Sequence, residues 1–184
     1  KKLKKACRNL WENLTQKRMY ITGGIGPTHH NEGFTFDYDL PNETAYAETC
    51  ASIALANWAH RMFHMEPNSE YIDVLERTIY NGIISGLNLN GDRFFYSNRL
   101  AALPKEIEAN PHGFSLQRQP WFDVACCPTN IVRFLPSIPG FIYSKNNAGV
   151  SINLYIQSSV VINFKDAEVK INQKNTQPWD DKCT

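Results

Sequence analysis

Residues 71–83, YIDVLERTIYNGI, decide the fold class of this chain. Their apolar and small side chains recur at intervals of three and four, which is the spacing of one buried face on a helix. That face consists of Tyr71, Val74, Leu75, Thr78, Ile79, Gly82 and Ile83. Asn68 or Ser69 can cap the start of this helix, and Gly86 suits its end. The stretch therefore predicts a helix that is packed against others.

Three further stretches predict helices on either side of it. The first is expected to end near Met19, and its apolar stripe consists of Leu3, Cys7, Leu10, Trp11 and Leu14. The second runs roughly from Thr44 to His64 and is apolar on most sides, which predicts burial between other helices. The third is PTNIVRFL, residues 128–135, which Pro136 stops.

Beyond Gly140 the pattern changes from helical to strand-like. The strand-like stretches are FIYS (141–144), VSINLYI (150–156), VVINF (160–164) and EVKI (168–171). Apolar residues alternate with polar ones from Val150 to Ile156, and KNNAG (145–149) predicts a hairpin turn. Upstream, DRFFYSN (92–98) predicts a short strand, and residues 101–120 are turn-rich and expected to be irregular.

Charge and composition narrow the classes of partner. The chain has 184 residues, and its 19 Lys and Arg against 18 Asp and Glu give a net charge of +1, so nucleic acid is not an expected partner. No apolar run reaches the length of a membrane span. The N-terminus lacks the apolar core of a signal peptide, which says little because the first residues already resemble the middle of a helix. A cytoplasmic location is expected for the parent protein, whose N-terminus is not in this sequence. Because Lys1 already begins inside a helical pattern, the chain is expected to be part of a longer one.

The five cysteines are an odd count in a chain that is not short, so reduced thiols or a metal site fit better than a disulfide scaffold. Two of them are adjacent in DVACCPTN, residues 123–130. Proline is favoured at the first helical position, which makes Cys127 the predicted N-cap. Both thiols then face the positive end of a helix dipole, which favours thiolate. The alternative is that Cys126 and Cys127 are buried and inert.

A second fragment, AETCAS, supplies candidate partners for these thiols. Glu48 and Cys50, together with Cys126 and Cys127, offer one carboxylate and three sulfurs, a set that tetrahedral zinc accepts. One difficulty is that positions two apart on a regular helix point in nearly opposite directions. Either the helix is distorted at Glu48, or the long glutamate side chain reaches around it.

The segment NEGFTFDYDLPNETAY, residues 31–46, combines aromatic rings with carboxylates. This is the composition of a sugar-binding cleft, although an ordinary surface loop is the alternative. Asp37 and Asp39 could bind sugar hydroxyls or cap the loop. His29 and His30 could line the cleft.

Taken together, the motifs resemble the cysteine-dependent β-L-arabinofuranosidase family of glycoside hydrolases, family 127. The motifs are YITGGIG, NEGFTFDYDLPNETAYAETCAS, DVLERTIYNGIISG, DRFFYSN and WFDVACCPTNIVR. They occur in order from about Met19 to Tyr143. The resemblance implies a mainly α chain followed by β: residues 1–140 as the later part of an (α/α)6 barrel, and 141–184 as the first strands of a β-sandwich.

The resemblance also implies roles for individual residues. Cys126 matches the nucleophile and Glu32, in NEGF, the general acid/base. Tyr96 matches a tyrosine near the nucleophile and the sugar. The zinc ligands that it implies are Glu48, Cys50, Cys126 and Cys127. The reaction implied is retaining hydrolysis of β-L-arabinofuranosides, in which a zinc-bound thiolate replaces the usual carboxylate nucleophile.

Two departures from the family are visible. Arg99 stands where the family has proline after Asn98, and the barrel half that supplies histidines to the sugar site is not in this sequence. His30 and Asp37 remain the candidate substrate-binding residues besides Tyr96. We expect a carbohydrate substrate and a homodimeric parent protein. The alternatives are a non-catalytic module stabilised by zinc, or a glycosidase of the same mechanism for another plant sugar.

Overall fold

The computed structural model describes residues 1–103, 117–176 and 183–184. The chain divides into two compact units, Lys1–Leu135 and Pro136–Thr184. The segment predicted to be irregular, 101–120, lies mostly outside the described residues. Within the described part, no helix is both long and apolar enough to cross a membrane.

The first unit begins with helix α1, Lys2–Lys17, which ends two residues before the predicted position. Trp11 and Leu14 of the predicted stripe are buried, but Leu3 and Leu10 are exposed. On the buried side, the Trp11 ring meets Trp58 and Tyr71 edge-on at 5.3 and 5.0 Å between centroids.

Helix α2 runs Thr49–Met65, so the predicted start at Thr44 is wrong by five residues. Ala47 has a φ of +38°, and Glu48 is extended, neither of which continues a helix. The backbone of this segment bonds elsewhere: the Ala47 N–H donates to Gly26 O at 2.8 Å, and the Thr49 N–H donates to Tyr96 O at 3.0 Å. Tertiary hydrogen bonds therefore replace the helical ones that the apolar pattern predicted.

Helix α3, Ser69–Arg77, continues through a π-helical turn, Thr78–Ile83, and a 3₁₀ turn, Ile84–Gly86. The Asn68 side chain accepts a hydrogen bond from the Glu70 N–H, which confirms the predicted cap. Every residue of the predicted face from Tyr71 to Ile83 is buried. The π turn was not predicted, because it keeps the same face buried while shifting the backbone hydrogen bonds by one residue.

Residues 92–98 do not form the predicted strand. They make single bridges instead, Phe94 to Leu87 and to Gln119, and Ser97 to Glu48. Each bridge joins a different stretch of chain, so no ladder of hydrogen bonds can extend. The consequence for the site is that Tyr96 lies beside the start of α2.

Helix α4 runs Cys126–Phe134, with Ala125 at its N-cap. The prediction that Cys127 caps this helix is wrong, since Cys127 is its second residue. Pro128 is third, inside the first turn. The first four N–H groups of a helix have no internal partner, so proline fits any of these positions and does not fix the start to one residue. Pro136 then lies in a 3₁₀ turn, Leu135–Ser137.

The second unit contains a short helix, α5, Pro139–Ile142, and two separate antiparallel pairs of strands. The first pair is β1, Tyr143–Asn146, with β2, Gly149–Ile152. The second pair is β3, Ser158–Asn163, with β4, Glu168–Gln173. Asn146 pairs with Gly149, which confirms the predicted hairpin turn. The strand predicted through Ile156 ends at Ile152, because the next backbone N–H, of Asn153, donates to Ile142 O instead.

Gly23 provides a test of how closely the loop before α2 packs on the π turn. Gly23 has φ +81°, and an added Cβ would lie 2.7 Å from Thr78 Oγ1 and 2.9 Å from Thr78 Cα. Gly91 has φ +73° but open space around it, so it is the matched control. We expect Gly91→Ala to lower the free energy of unfolding by about 1–2 kcal/mol through backbone strain. Gly23→Ala should lower it by about 1–3 kcal/mol more, because of overpacking. Urea unfolding of both variants measures the difference, and equal losses would contradict the close packing.

Candidate active site

Three segments bring one carboxylate and three thiols together. Glu48 comes from the extended residue before α2, Cys50 from the first turn of α2, and Cys126 and Cys127 from the first turn of α4. One ligand atom from each of the four lies within 4.8 Å of all the others, and the group could hold a metal ion. We call these four residues the Glu/Cys cluster. Since Glu48 precedes the helix, the difficulty of two ligands pointing to opposite sides of it does not arise.

The spacing within the cluster matches the spacing of donors around one ion. Glu48 Oε1 lies 3.4 Å from Cys126 Sγ and 3.6 Å from Cys127 Sγ. Cys127 Sγ lies 3.6 Å from Cys50 Sγ and 3.8 Å from Cys126 Sγ. Sulfurs at about 2.3 Å from a tetrahedral metal ion are separated by about 3.8 Å. The side chains therefore already stand at metal-binding distances.

Burial differs among the thiols. Cys127 has no exposed surface and Glu48 is 6% exposed, whereas Cys50 and Cys126 are half-buried. All five cysteines of the chain are free thiols. Within the cluster, only Cys50 and Cys126 retain access from outside.

The thiols differ in acidity as well. The hydrogen bond with Cys127 lowers the pKa of Cys50 to about 7. The same interaction, followed by burial, raises the pKa of Cys127. Burial raises the pKa of Cys126, although a hydrogen bond from Tyr96 opposes it. Without a metal ion the cluster therefore carries negative charge first on Cys50, and the other two sulfurs keep their protons at neutral pH.

Tyr96 stands directly beside Cys126. Its hydroxyl oxygen is 3.0 Å from Cys126 Sγ. Burial raises the pKa of this phenol, so it remains a hydrogen-bond donor. The ring is 7% exposed and packs on Phe122 and Tyr46 at centroid distances of 5.6 and 6.2 Å. This packing keeps the Tyr96 hydroxyl in contact with the half-buried sulfur of Cys126.

Glu32 lies in a single 3₁₀ turn, His30–Glu32, where Asn31 and Glu32 have φ values of +55° and +48°. The Tyr46 hydroxyl donates to Glu32 Oε1 at 3.2 Å. The ring of Tyr46 also packs against that of Tyr96, at 6.2 Å between centroids. Glu32 is therefore connected to Cys126 through two tyrosines.

The two other predicted sugar-binding residues are placed differently. His30 is exposed and shares the 3₁₀ turn with Glu32. Asp37 forms ion pairs with Lys17 at 2.8 Å and Arg18 at 2.5 Å, which join its loop to the end of α1. The hydrogen bond from Lys17 is the main cause that lowers the pKa of Asp37. Sugar binding by His30 and Asp37 stays a prediction.

Sequence reasoning missed the part that two residues play in arranging the site. It predicts Tyr46 as an aromatic residue of the 31–46 segment and of the second helix, but not its contacts with Glu32 and Tyr96. Asn98 donates to Ala47 O at 3.1 Å and to Thr49 Oγ1 at 3.0 Å, which fastens the start of α2 beside Tyr96. These contacts join residues about fifty positions apart, and no local periodicity signals them.

Known proteins resemble this chain over most of its length. The model of the family described as "Beta-L-arabinofuranosidase, GH127 catalytic domain" matches residues 1–140. The chain is 40% identical over 176 residues to the non-reducing end β-L-arabinofuranosidase of Bifidobacterium longum subsp. longum, covering 95% of this chain and 26% of that protein.

Solved structures show the same similarity. A GH127 β-L-arabinofuranosidase from Geobacillus stearothermophilus T6 matches with a TM-score of 0.92 at 48% identity, over 97% of this chain and 28% of that one. A second GH127 β-arabinofuranosidase matches with a TM-score of 0.83 at 42% identity, over 92% of this chain and 25% of that one. These matches place the chain among the glycoside hydrolases.

More specifically, the chain belongs to the GH127 β-L-arabinofuranosidase family, which confirms the resemblance drawn from the motifs. It spans about a quarter of the length of the relatives that it matches.

Replacing one sulfur of the cluster tests whether it holds a metal ion. We expect Cys50→Ser to weaken binding of Co²⁺ by more than about 100-fold, since a hydroxyl is a poor ligand. Even changes to residues that only support the ligands lower metal affinity by about 10- to 100-fold. The readout is the sulfur-to-cobalt absorption of the metal-free intact protein during titration. Cys7→Ser, which removes a half-buried thiol outside the cluster, is the matched control. Unchanged binding in Cys50→Ser would remove Cys50 from the ligand set.

The acidities of the thiols predict how binding depends on pH. Because the pKa values of Cys126 and Cys127 are raised, both sulfurs are protonated at pH 7 and must release protons when they bind a metal ion. Affinity should therefore rise with pH, by about 100-fold per unit for two protons. Below the pKa of Cys50, about 7, a third proton should steepen the dependence. Titration with Co²⁺ against a competing chelator at several pH values measures the slope, and a flat profile would contradict this protonation pattern.

Proposed function

We propose that the intact protein is a retaining β-L-arabinofuranosidase that uses Cys126 as nucleophile, Glu32 as general acid/base and a zinc ion in the Glu/Cys cluster. Membership of the GH127 family supports the reaction and the substrate class. The observation that carries the mechanism is the chain of contacts from Glu32 through Tyr46, whose ring packs on that of Tyr96, to Cys126. It links a carboxyl group to an accessible sulfur, which are the two groups that a retaining mechanism requires.

Zinc is the metal that suits this donor set. Three thiols and one carboxylate favour a soft or borderline ion over Mg²⁺ or Ca²⁺. Four protein ligands at tetrahedral spacing are typical of zinc. A bound zinc ion would keep the sulfurs deprotonated at neutral pH, where Cys126 and Cys127 otherwise hold their protons.

Cys126 is the sulfur that suits attack. Cys127 has no exposed surface, so it cannot reach a sugar. Cys126 is half-buried, and its sulfur faces the Tyr96 hydroxyl at 3.0 Å. A hydrogen bond from Tyr96 can orient the thiolate toward the anomeric carbon without taking its charge away.

In the first step, Cys126 Sγ attacks the anomeric carbon and forms a carbon–sulfur bond. The bond from that carbon to the leaving oxygen breaks, and Glu32 gives its proton to this oxygen. The product of the step is a glycosyl group on Cys126 and a Glu32 carboxylate.

In the second step, Glu32 takes a proton from water, and the water oxygen attacks the anomeric carbon. The carbon–sulfur bond breaks and returns Cys126 as a thiolate. Two displacements at the same carbon restore its original configuration. Tyr46 and Tyr96 keep their protons throughout and hold the reacting groups in place.

We further propose that residues 1–140 are part of an (α/α)6 barrel and that 141–184 begin a β-sandwich. The exposed Leu3 and Leu10 on α1 support additional helices packed there. We also propose a carbohydrate substrate for the intact protein, a homodimeric state and a cytoplasmic location.

A second candidate is a zinc-stabilised module without catalysis. The cluster joins the first turns of α2 and α4, which is where a purely structural metal ion would be useful. An acidic side chain connected to the cluster through Tyr46 and Tyr96 has no role in such a module. The variants described next distinguish the two candidates.

Glu32→Gln should lose far more activity on a β-L-arabinofuranosyl disaccharide than on a nitrophenyl β-L-arabinofuranoside in the first step. A nitrophenolate leaves without a proton, while a sugar alkoxide needs one, and general acid catalysis is worth about 10²–10⁴-fold. The second step still lacks its base, so added azide should speed turnover of the nitrophenyl substrate. Glu43→Gln, in the same loop, is the matched control. Equal losses on both substrates would remove Glu32 from the acid/base role.

Cys126→Ala should abolish turnover of both substrates, since a good leaving group cannot replace the atom that forms the bond. Mass spectrometry of the Glu32→Gln variant during turnover should find one pentosyl group on the peptide that carries Cys126. A pentosyl group on a carboxylate instead, or turnover of the nitrophenyl substrate by Cys126→Ala, would show that Cys126 is only a metal ligand. An intact protein that binds the metal ion but turns over neither substrate would favour the structural module.

A further inference from the structure

Glu32 lies in a position where its side chain needs an external support. The residue is exposed, and it belongs to a 3₁₀ turn of only three residues, followed by Gly33. A free glutamate side chain loses up to about 2 kcal/mol of rotamer entropy when it is fixed. Its backbone N–H donates to His29 O, which fixes the turn but not the carboxyl group. Among the described residues, the hydroxyl of Tyr46 gives the carboxylate its hydrogen bond.

Tyr46 itself is held firmly. Its side chain is 6% exposed, and its neighbours Ala45 and Ala47 have no exposed surface. The backbone of Ala47 is bonded on both sides, through its N–H to Gly26 O at 2.8 Å and through its carbonyl to the Asn98 amide at 3.1 Å. A tyrosine has only two rotatable side-chain bonds, so a fixed backbone and a buried ring fix the hydroxyl.

The hydroxyl of Tyr46 also faces the other reacting group. Its ring lies 6.2 Å from that of Tyr96 at an interplanar angle of 49°, so the two rings are in contact. Tyr96 in turn reaches Cys126 Sγ at 3.0 Å. One buried side chain thus contacts the exposed carboxylate on one side and the partner of the sulfur on the other.

We infer that Tyr46 is a positioning residue that holds the Glu32 carboxyl group at a fixed place relative to Cys126. This inference rests on the proposed function, in which Glu32 is the acid/base. Loss of the hydroxyl leaves the Glu32 side chain free to rotate into solvent. The reaction then slows where Glu32 must deliver a proton, while binding of the sugar is little changed.

The test compares Tyr46→Phe with Tyr20→Phe in the intact protein. Tyr20 is also buried, and its hydroxyl donates to Pro41 O at 3.2 Å, so its substitution removes an equivalent group outside the site. Tyr46→Phe should lower kcat on the disaccharide about 3- to 10-fold, the value of one hydrogen bond, with KM nearly unchanged. On the nitrophenyl substrate the rate of the first step should fall less than the rate on the disaccharide. Tyr20→Phe should leave both rates near the wild-type values.

A double variant decides whether Tyr46 acts through Glu32. If it does, Glu32→Gln/Tyr46→Phe should be no slower on the disaccharide than Glu32→Gln alone. A defect in folding would lower the rates on both substrates alike, with or without the Glu32→Gln change. The ratio of the rates on the two substrates therefore distinguishes loss of positioning from loss of folded protein.

The outcomes separate this inference from the proposed function. Suppose that Glu32→Gln shows the dependence on leaving group. The acid/base role then stands, but the positioning role is wrong if Tyr46→Phe has the same rates as Tyr20→Phe. The positioning role is also wrong if the rate losses multiply in the double variant. If Glu32→Gln itself shows no such dependence, the acid/base role fails and the positioning role fails with it.

Discussion

The bend at Ala47 and Glu48 is the constraint on which the site depends. The Thr49 N–H donates to Tyr96 O, and Asn98 donates to Ala47 O, so this bend is fastened to a segment about fifty residues downstream. Because the chain is extended here, the Glu48 carboxylate points away from the axis of α2 and meets the sulfurs of α4. The same bend turns Tyr46 toward Glu32. A helix that began five residues earlier would remove both contacts at once.

The chemistry of the cluster follows from where its residues lie on the helices. Cys50, Cys126 and Cys127 occupy first turns, where unpaired N–H groups and the helix dipole favour negative charge. Burial opposes this effect at Cys126, and the hydrogen bond with Cys50 followed by burial opposes it at Cys127, so the pKa values of both thiols are raised. Thiols that the helix ends alone do not ionise are suited to a metal cation, which binds the thiolate form and displaces the protons.

The loop before α2 contributes two different kinds of carboxylate. Asp37 is paired with Lys17 and Arg18, which ties the loop to α1 and lowers the pKa of Asp37. Glu32 instead lies exposed at a left-handed backbone position and is reached by a neutral phenol. The acid/base role proposed for Glu32 suits a neutral partner better than a cation, because a cation stabilises the ionised form of a carboxyl group.

The sequence by itself determined the features that depend on neighbours along the chain. The buried face from Tyr71 to Ile83, the Asn68 cap and the turn between β1 and β2 are local patterns, in which each residue is related to another at most four positions away. The order of helices before strands and the four members of the Glu/Cys cluster also came from motifs. The tertiary structure alone decided where α2 begins, that residues 92–98 form bridges in place of a strand, and that Tyr46 joins Glu32 to Tyr96. The physical reason is that each of these depends on hydrogen bonds between distant residues, which compete with local propensity and leave no periodic signal.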